Sequence, residues 1–126
     1  MKRIMLSIFI LLLLIGCKSE VPKEYLVGGT WVATAGYENG EAEGDPQCHT
    51  VISMTFKNNN LVYIEYPDQE FEYSFEEDKK DRVIFYSEYL SLNMRYDIKL
   101  IDDDAMAIAG VGGFEDQVCY MERQGE

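Results

Sequence analysis

The chain has 126 residues, of which 23 are Asp or Glu and 11 are Lys or Arg, so its formal charge is −12 at pH 7. This length suits one small domain with its own hydrophobic core. A charge of this sign repels nucleic acid and anionic lipid head groups, so we expect no nucleic-acid partner.

The N-terminus has the pattern of a segment that directs export. Lys2 and Arg3 form a basic start, and a nearly continuous apolar run from Met5 to Ile15 follows. This run is shorter than the roughly 20 apolar residues of a stable transmembrane helix. A basic start, a short apolar stretch and a small residue before the cleavage point are typical of a secretory signal peptide. We therefore predict a signal peptide over residues 1–16.

The end of this segment, Leu14-Ile15-Gly16-Cys17, resembles the lipobox of bacterial lipoproteins, with its leucine three residues before the cysteine. The resemblance implies cleavage before Cys17 and a lipid anchor on that residue, with acyl chains such as palmitate. Two or three acyl chains hold a protein stably on a membrane without spanning it. Lys18 replaces the aspartate associated with inner-membrane retention, so we expect the cell envelope, with the outer membrane preferred. The alternative is an ordinary secreted protein with a chance cysteine.

The residues after the cleavage point divide into a short tether and one domain. Residues 17–25 include a polar stretch with a proline, which predicts a lipidated tether. Residues 26–126 form the predicted domain. Cleavage removes two bases and no acid, so the mature chain carries a formal charge of −14.

The mature chain reads as an all-β domain. Residues 90–100 alternate apolar and polar side chains with a period of two, as a strand with one buried face does. Asn, Asp and Gly clusters separate about eight strands, near residues 29–36, 48–57, 60–66, 70–77, 82–88, 90–101, 105–109 and 115–123. The polar segment 38–46 reads as a mobile loop. This spacing predicts an eight-stranded antiparallel up-and-down barrel, and a two-sheet β-sandwich is the alternative.

The first strand contains Gly29-Thr30-Trp31, and Arg123 lies late in the chain. A Gly-x-Trp on the opening strand resembles the lipocalin and wider calycin pattern, here the small bacterial lipocalin-like lipoproteins. The resemblance implies an eight-stranded barrel with a ligand cavity. It also implies that Trp31 plugs the closed end and that Arg123 packs across its indole. The second lipocalin motif and the helix after the barrel are not found in this sequence.

Two cysteines remain once Cys17 carries lipid. Cys48 and Cys119 are an even pair in an oxidising compartment, so we predict a disulfide between them. In a barrel the first strand lies beside both the last and the second, so this bridge would tie the closing seam. Two buried free thiols are the alternative.

The sequence offers no catalytic constellation. His49 is the single histidine, and no motif places a nucleophile beside it. Asp102-Asp103-Asp104 has oxygen ligands for calcium but lacks the glycine and distal glutamate of an EF-hand loop, so we read it as a hairpin turn. We therefore expect no enzyme, no cofactor and no metal site.

Several aromatic residues are expected to point into the barrel and to be possible ligand-lining residues: Tyr63, Phe71, Tyr73, Phe75, Phe85 and Tyr96. Such side chains line pockets for hydrophobic ligands, but they also fill small barrels completely. Two hypotheses follow. The first is a lipid-anchored carrier of a small apolar ligand. The second is a protein-interaction module with a filled barrel: an envelope inhibitor, chaperone or immunity-type lipoprotein that meets a cationic partner.

Overall fold

The computed structural model describes residues 20–125, so the predicted signal peptide 1–16 and the predicted lipidation of Cys17 lie outside the described residues. This part of the chain contains a single-turn helix and ten strands. They are α1 (Lys23–Leu26), β1 (Thr30–Ala35), β2 (Tyr37–Glu38), β3 (Glu41–Ala42), β4 (Ser53–Phe56), β5 (Leu61–Ile64), β6 (Gln69–Phe75), β7 (Arg82–Ser87), β8 (Leu92–Asp102), β9 (Ala105–Val111) and β10 (Val118–Gln124).

Eight of these strands form a closed barrel in the order β1-β10-β9-β8-β7-β6-β5-β4, with β4 returning to β1. All neighbouring strands are antiparallel. On β1, Trp31 lies opposite Arg123 of β10 and opposite Met54 of β4. The predicted up-and-down barrel is therefore confirmed, and the two-sheet sandwich is excluded.

Alternation of side chains explains why these segments are strands. On β8, Met94 and Tyr96 are buried inside the barrel, whereas the preceding residue, Asn93, faces solvent. A strand with this period buries one face and keeps the other in water. Leu100, expected on the inward face of β8, is 37 % exposed beside an irregularity between residues 100 and 102.

The two ends of the barrel differ. We call the end with α1 the tether end, because the described chain starts there: Val21 donates its backbone N–H to Lys80 O at 3.4 Å. The turns β4–β5 and β8–β9 lie at the same end. We call the opposite end the distal end; it holds the turns 65–68 and 88–91, the connection from β1 to β4 and the loop 112–117.

The predicted tether 17–25 needs a correction at its C-terminal part. Val21 is buried, residues 23–26 form α1, and Leu26 is fully buried under the barrel. Burial of these two aliphatic side chains stabilises the domain by roughly 1.5–3 kcal/mol each. This gain holds the segment against the barrel although the residues next to them in sequence are polar. The packed domain therefore begins at Val21 rather than at residue 26.

The segment 38–46, predicted to be a loop, contains a small ribbon. Strands β2 and β3 pair around Asn39-Gly40, both with positive φ, 52° and 79°. An Asn-Gly pair with left-handed backbone is the strongest short hairpin signal. Gly36 N–H and Gly44 O, 3.1 Å apart, continue the ribbon toward the barrel.

Candidate functional site

The barrel interior is occupied by aromatic side chains in mutual contact. Ring centroids are 5.0 Å apart for Phe56 and Tyr73, 5.8 Å for Phe85 and Tyr96, and 6.1 Å for Tyr96 and Phe114. These tilted and edge-to-face pairs are the arrangements that aromatic rings prefer in protein cores. Four methionines belong to the same core, each at most 1 % exposed: Met54, Met94, Met106 and Met121.

At the tether end the structure brings Gly29, Trp31 and Arg123 together. The guanidinium carbon of Arg123 lies 4.6 Å from the Trp31 ring centroid, in cation–π geometry. The Trp31 indole is fully buried and donates to Leu26 O at 3.0 Å. Gly29 has φ +70°, and a Cβ there would lie 2.5 Å from Gly125 O. A glycine is needed at this position so that β1 can approach the end of β10.

Arg123 also ties the N-terminal segment to the barrel. Its Nη1 donates to Val27 O and Gly28 O, both at 3.0 Å. It lies 5.3 Å from the ring centroid of Tyr25, whose hydroxyl lies 2.6 Å from Ala105 O. Burial raises the pKa of the Tyr25 hydroxyl to about 12, although the nearby Arg123 charge acts in the opposite direction. This network closes the tether end.

At the distal end Cys48 and Cys119 form a disulfide, with Cα atoms 5.9 Å apart, within the range for such bonds. Cys48 lies in the connection before β4 rather than on it, and Cys119 lies on β10. Strand β1 lies between β4 and β10 in the barrel, so the bridge spans the seam where the sheet closes.

The buried side-chain amide of Gln117 also lies at the distal end. The Gln117 side chain is 7 % exposed, and its Oε1 accepts from Tyr96 Oη at 3.2 Å and from His49 N–H at 3.2 Å. Burial raises the pKa of the Tyr96 hydroxyl, which favours its role as a neutral donor. Val51, which is fully buried, lies in the connection from β1 to β4, as Cys48 does. Both ends of the barrel are thus closed by side chains.

The expected ligand-lining residues fall into two groups. Phe71, Tyr73, Phe85 and Tyr96 are buried inside the barrel, and Phe75 is partly buried. Tyr63 is a correction, because it lies on the outer face and its hydroxyl donates to the Asp68 carboxylate.

Clefts are found on the outside of the barrel. One of about 560 Å³ lies between Tyr37 of the ribbon and the outer sides of Ala107 and Ala109 on β9. Another of about 230 Å³ lies on β6 and β7. Phe71, Phe85 and Tyr96, each at most 1 % exposed, border neither of these clefts, whereas Tyr73 and Phe75 border a third cleft, of about 640 Å³, beside Lys23 and Asn60.

The outer surface near the distal end carries large exposed side chains that the sequence analysis missed. Tyr89 is 84 % exposed, Tyr66 58 % and Tyr86 42 %. Since Phe85 was assigned to the interior, the alternation of a strand already required Tyr86 to face outward. No comparable signal identifies Tyr66 and Tyr89, which lie in turns.

The remaining candidate residues from the sequence are His49 and the three aspartates 102–104. His49 is exposed. In the Asp102–Asp104 turn, Asp102 Oδ1 accepts from the Asp104 N–H at 2.9 Å, and Arg123 Nε lies 3.3 Å from the Asp104 carboxylate. Among residues 20–125, no three His, Cys, Asp or Glu side chains are grouped so that they could hold a metal ion.

Within the same residues, no helix has the length and apolar character that crossing a membrane requires.

The comparisons with known proteins give no relative. No family model matches the chain, and no curated protein and no solved structure matches it at a significant level. We therefore infer function from the geometry of the barrel and of its surface.

Proposed function

We propose that the protein is a lipid-anchored, lipocalin-like barrel of the bacterial envelope that acts as a protein-interaction module. In this proposal its outer surface is functional, and its interior serves stability. The observation that carries the proposal is the filled interior, closed at one end by Trp31 with Arg123 and at the other by Gln117 with the disulfide.

A carrier would need a different interior. Pockets for small molecules are typically about 300–1,000 Å³ and are lined by apolar side chains with a few polar groups. Here the Phe85 ring is paired with both Phe56 and Tyr96, with centroid distances of 6.1 and 5.8 Å, and all three side chains are buried. A ligand of ordinary size could enter only after these rings moved apart, which would cost the packing that stabilises the barrel.

The proposed lipid anchor rests on the motif Leu14-Ile15-Gly16-Cys17. Its position relative to the barrel is inferred from Glu20, the first residue that the structure describes. Glu20 lies three positions after Cys17, a span of about 10 Å when the chain is extended. Glu20 and Val21 lie at the tether end of the barrel. A lipid on Cys17 would therefore hold that end close to the membrane and point the distal end away from it.

The partner class follows from charge. The mature chain has a formal charge of −14, and a field of this sign attracts and orients cationic proteins. Exposed tyrosines add the side chain that is enriched in the energetic centres of protein interfaces. An acidic surface with exposed tyrosines would suit an envelope inhibitor, a chaperone or an immunity-type lipoprotein.

The anchor is tested by growing cells that express the full chain with radiolabelled palmitate. We expect label on the wild-type protein and recovery in the membrane fraction, with more in the outer than in the inner membrane. The variant Cys17→Ser should lose both the label and the membrane association. Unlabelled wild-type protein would contradict the lipoprotein assignment.

The filled interior is tested by titrating the protein with a fluorescent fatty-acid analogue. We expect no saturable binding by the wild type. The variant Phe85→Ala is the matched control, because removal of a large core ring leaves an apolar cavity, and such cavities bind small apolar molecules. Benzene should bind Phe85→Ala and not the wild type. Saturable binding of the fatty acid by the wild type would reject the interaction module in favour of a carrier.

A further inference from the structure

We propose that the outer side of β6 and β7 at the distal end is a docking surface for a protein segment that presents arginine side chains. We call it the tyrosine face; its residues are Tyr66, Glu70, Glu72, Tyr86, Glu88 and Tyr89. The inference rests on the proposed function and deepens it, since it assigns the surface and the chemistry of the partner.

Tyrosines and carboxylates alternate across this face. In the strand register Glu72 lies directly opposite Tyr86 on one side and Leu61 on the other. Directly opposite residues have Cβ atoms about 5 Å apart. Glu72 is therefore flanked by apolar and aromatic surface; Tyr89 borders the same cleft as Glu72 and Tyr86, and Tyr66 lies in the adjoining turn 65–68.

A cleft of about 230 Å³ lies within the face and is bordered by Glu70, Glu72, Tyr86, Glu88 and Tyr89. Its walls combine the two features that recognise a guanidinium. A tyrosine ring accepts the flat face of an arginine in cation–π contact. Carboxylates at its edge accept charge-assisted hydrogen bonds from the N–H groups.

The charges of the face are only partly matched within the chain. The Lys57 ammonium pairs with the Glu70 carboxylate at one edge. Glu72 and Glu88 make no ion pair with any residue between 20 and 125. An arginine from a partner would supply the missing positive charge, as Lys57 does for Glu70.

The same charges argue against two other occupants. A second copy related by two-fold symmetry would bring the face onto itself, with Glu72 and Glu88 facing the same carboxylates. A membrane surface with anionic head groups would be repelled. Tyr66, Glu88 and Tyr89 of the face lie in turns at the distal end, away from the end where a lipid on Cys17 would hold the protein.

The test uses residues 18–126, whose barrel and core lie within residues 20–125, and measures binding of hexa-arginine by calorimetry at physiological salt. We expect saturable binding that weakens about tenfold in the double variant Glu72→Gln/Glu88→Gln. The matched control is Glu41→Gln/Glu43→Gln on the exposed ribbon, which removes the same net charge. Its affinity should change by less than about twofold.

A second comparison separates the tyrosines from charge alone. We expect hexa-arginine to bind more tightly than hexa-lysine, because the planar guanidinium stacks on a ring better than an ammonium does. The double variant Tyr86→Ser/Tyr89→Ser should lose about fivefold in affinity for hexa-arginine and lose this preference. Both tyrosines are exposed, so circular dichroism should show an unchanged fold.

Three results would overturn the inference: equal effects of the two Glu-to-Gln pairs, absence of hexa-arginine binding, or a dimer that Tyr86→Ser/Tyr89→Ser dissociates. The last result would assign the face to a second copy. None of these results bears on the filled barrel. Conversely, saturable binding of a fatty acid by the wild type rejects the proposed function whatever the peptides do, so the two failures are distinguishable.

Discussion

Arg123 is a charged side chain that links the barrel to its N-terminal segment. Its guanidinium covers the Trp31 indole at 4.6 Å and donates to Val27 O and Gly28 O at 3.0 Å. Its side chain is only 15 % exposed, so these contacts are made largely without competing water. The contact of Arg123 with the Trp31 indole was expected from the resemblance of Gly29-Thr30-Trp31 to the lipocalin pattern. The carbonyl groups that it satisfies were not, since they belong to an N-terminal segment read as a tether.

Replacement of Arg123 by alanine should destabilise the protein strongly. The variant loses a cation–π contact and leaves backbone carbonyls without a donor, at a total cost of about 3 kcal/mol in the free energy of unfolding. The measurement is urea unfolding followed by Trp31 fluorescence. Arg95→Ala is the control: Arg95 is 43 % exposed and lies 3.6 Å from Glu76, and loss of such a pair costs about 1 kcal/mol or less. Equal losses in the two variants would contradict this role of Arg123.

Tyr25 should make stability fall in alkali. Burial raises its pKa from 10.0 to about 12 in the folded protein. The unfolded chain therefore ionises first, so the stabilisation from neutral Tyr25 is complete below pH 10 and is lost as pH rises through about 12. Unfolding free energies measured from pH 8 upward should decline over this interval more steeply for the wild type than for Tyr25→Phe. Parallel pH profiles of the two proteins would be inconsistent with partial burial of the Tyr25 hydroxyl.

At the scale of the element, the strength of the alternation decided what was predictable. In β6 and β8 the polar and apolar side chains alternate cleanly, so the inward face was evident from the sequence. Strand β5 reads Leu61-Val62-Tyr63-Ile64, which is apolar on both faces. The register resolves it: Val62 lies opposite Phe56 and Phe71, inside the barrel, and Tyr63 lies opposite Glu70, outside. The ribbon was missed because its hairpin signal, Asn39-Gly40, lies between strands of only two residues.

The register of β5 predicts opposite sensitivities at two adjacent positions. Val62→Ala removes fully buried methyl groups from the core and should cost about 2 kcal/mol of unfolding free energy. Tyr63→Ala truncates an outward side chain whose hydroxyl can bond to water instead, and should cost less than about 1 kcal/mol. Chemical denaturation of both variants gives the comparison. A larger loss for Tyr63→Ala would mean that β5 is shifted by one residue, which turns every side chain to the other face.

At the scale of the whole molecule, the barrel has a filled centre, two closed ends and an uneven outer surface. The all-β class, the strand number and the cysteine pair were predictable, because alternation, turn residues and the number of cysteines can all be read directly from the sequence. Whether the interior is open was not predictable, since it depends on how Phe56, Phe85 and Tyr96 meet across the barrel. The tyrosine face was not predictable either, because it combines residues from separate strands and turns.

The most direct test of the filled barrel is native mass spectrometry of residues 18–126 purified from an oxidising periplasm. We expect a single species without bound small molecule, lower in mass than the reduced chain by the two hydrogens lost when Cys48 and Cys119 join. The same mass should be found after denaturation without reductant. A mass excess that disappears on denaturation would show a bound ligand and would contradict the account, because an interior packed ring to ring has no room for one.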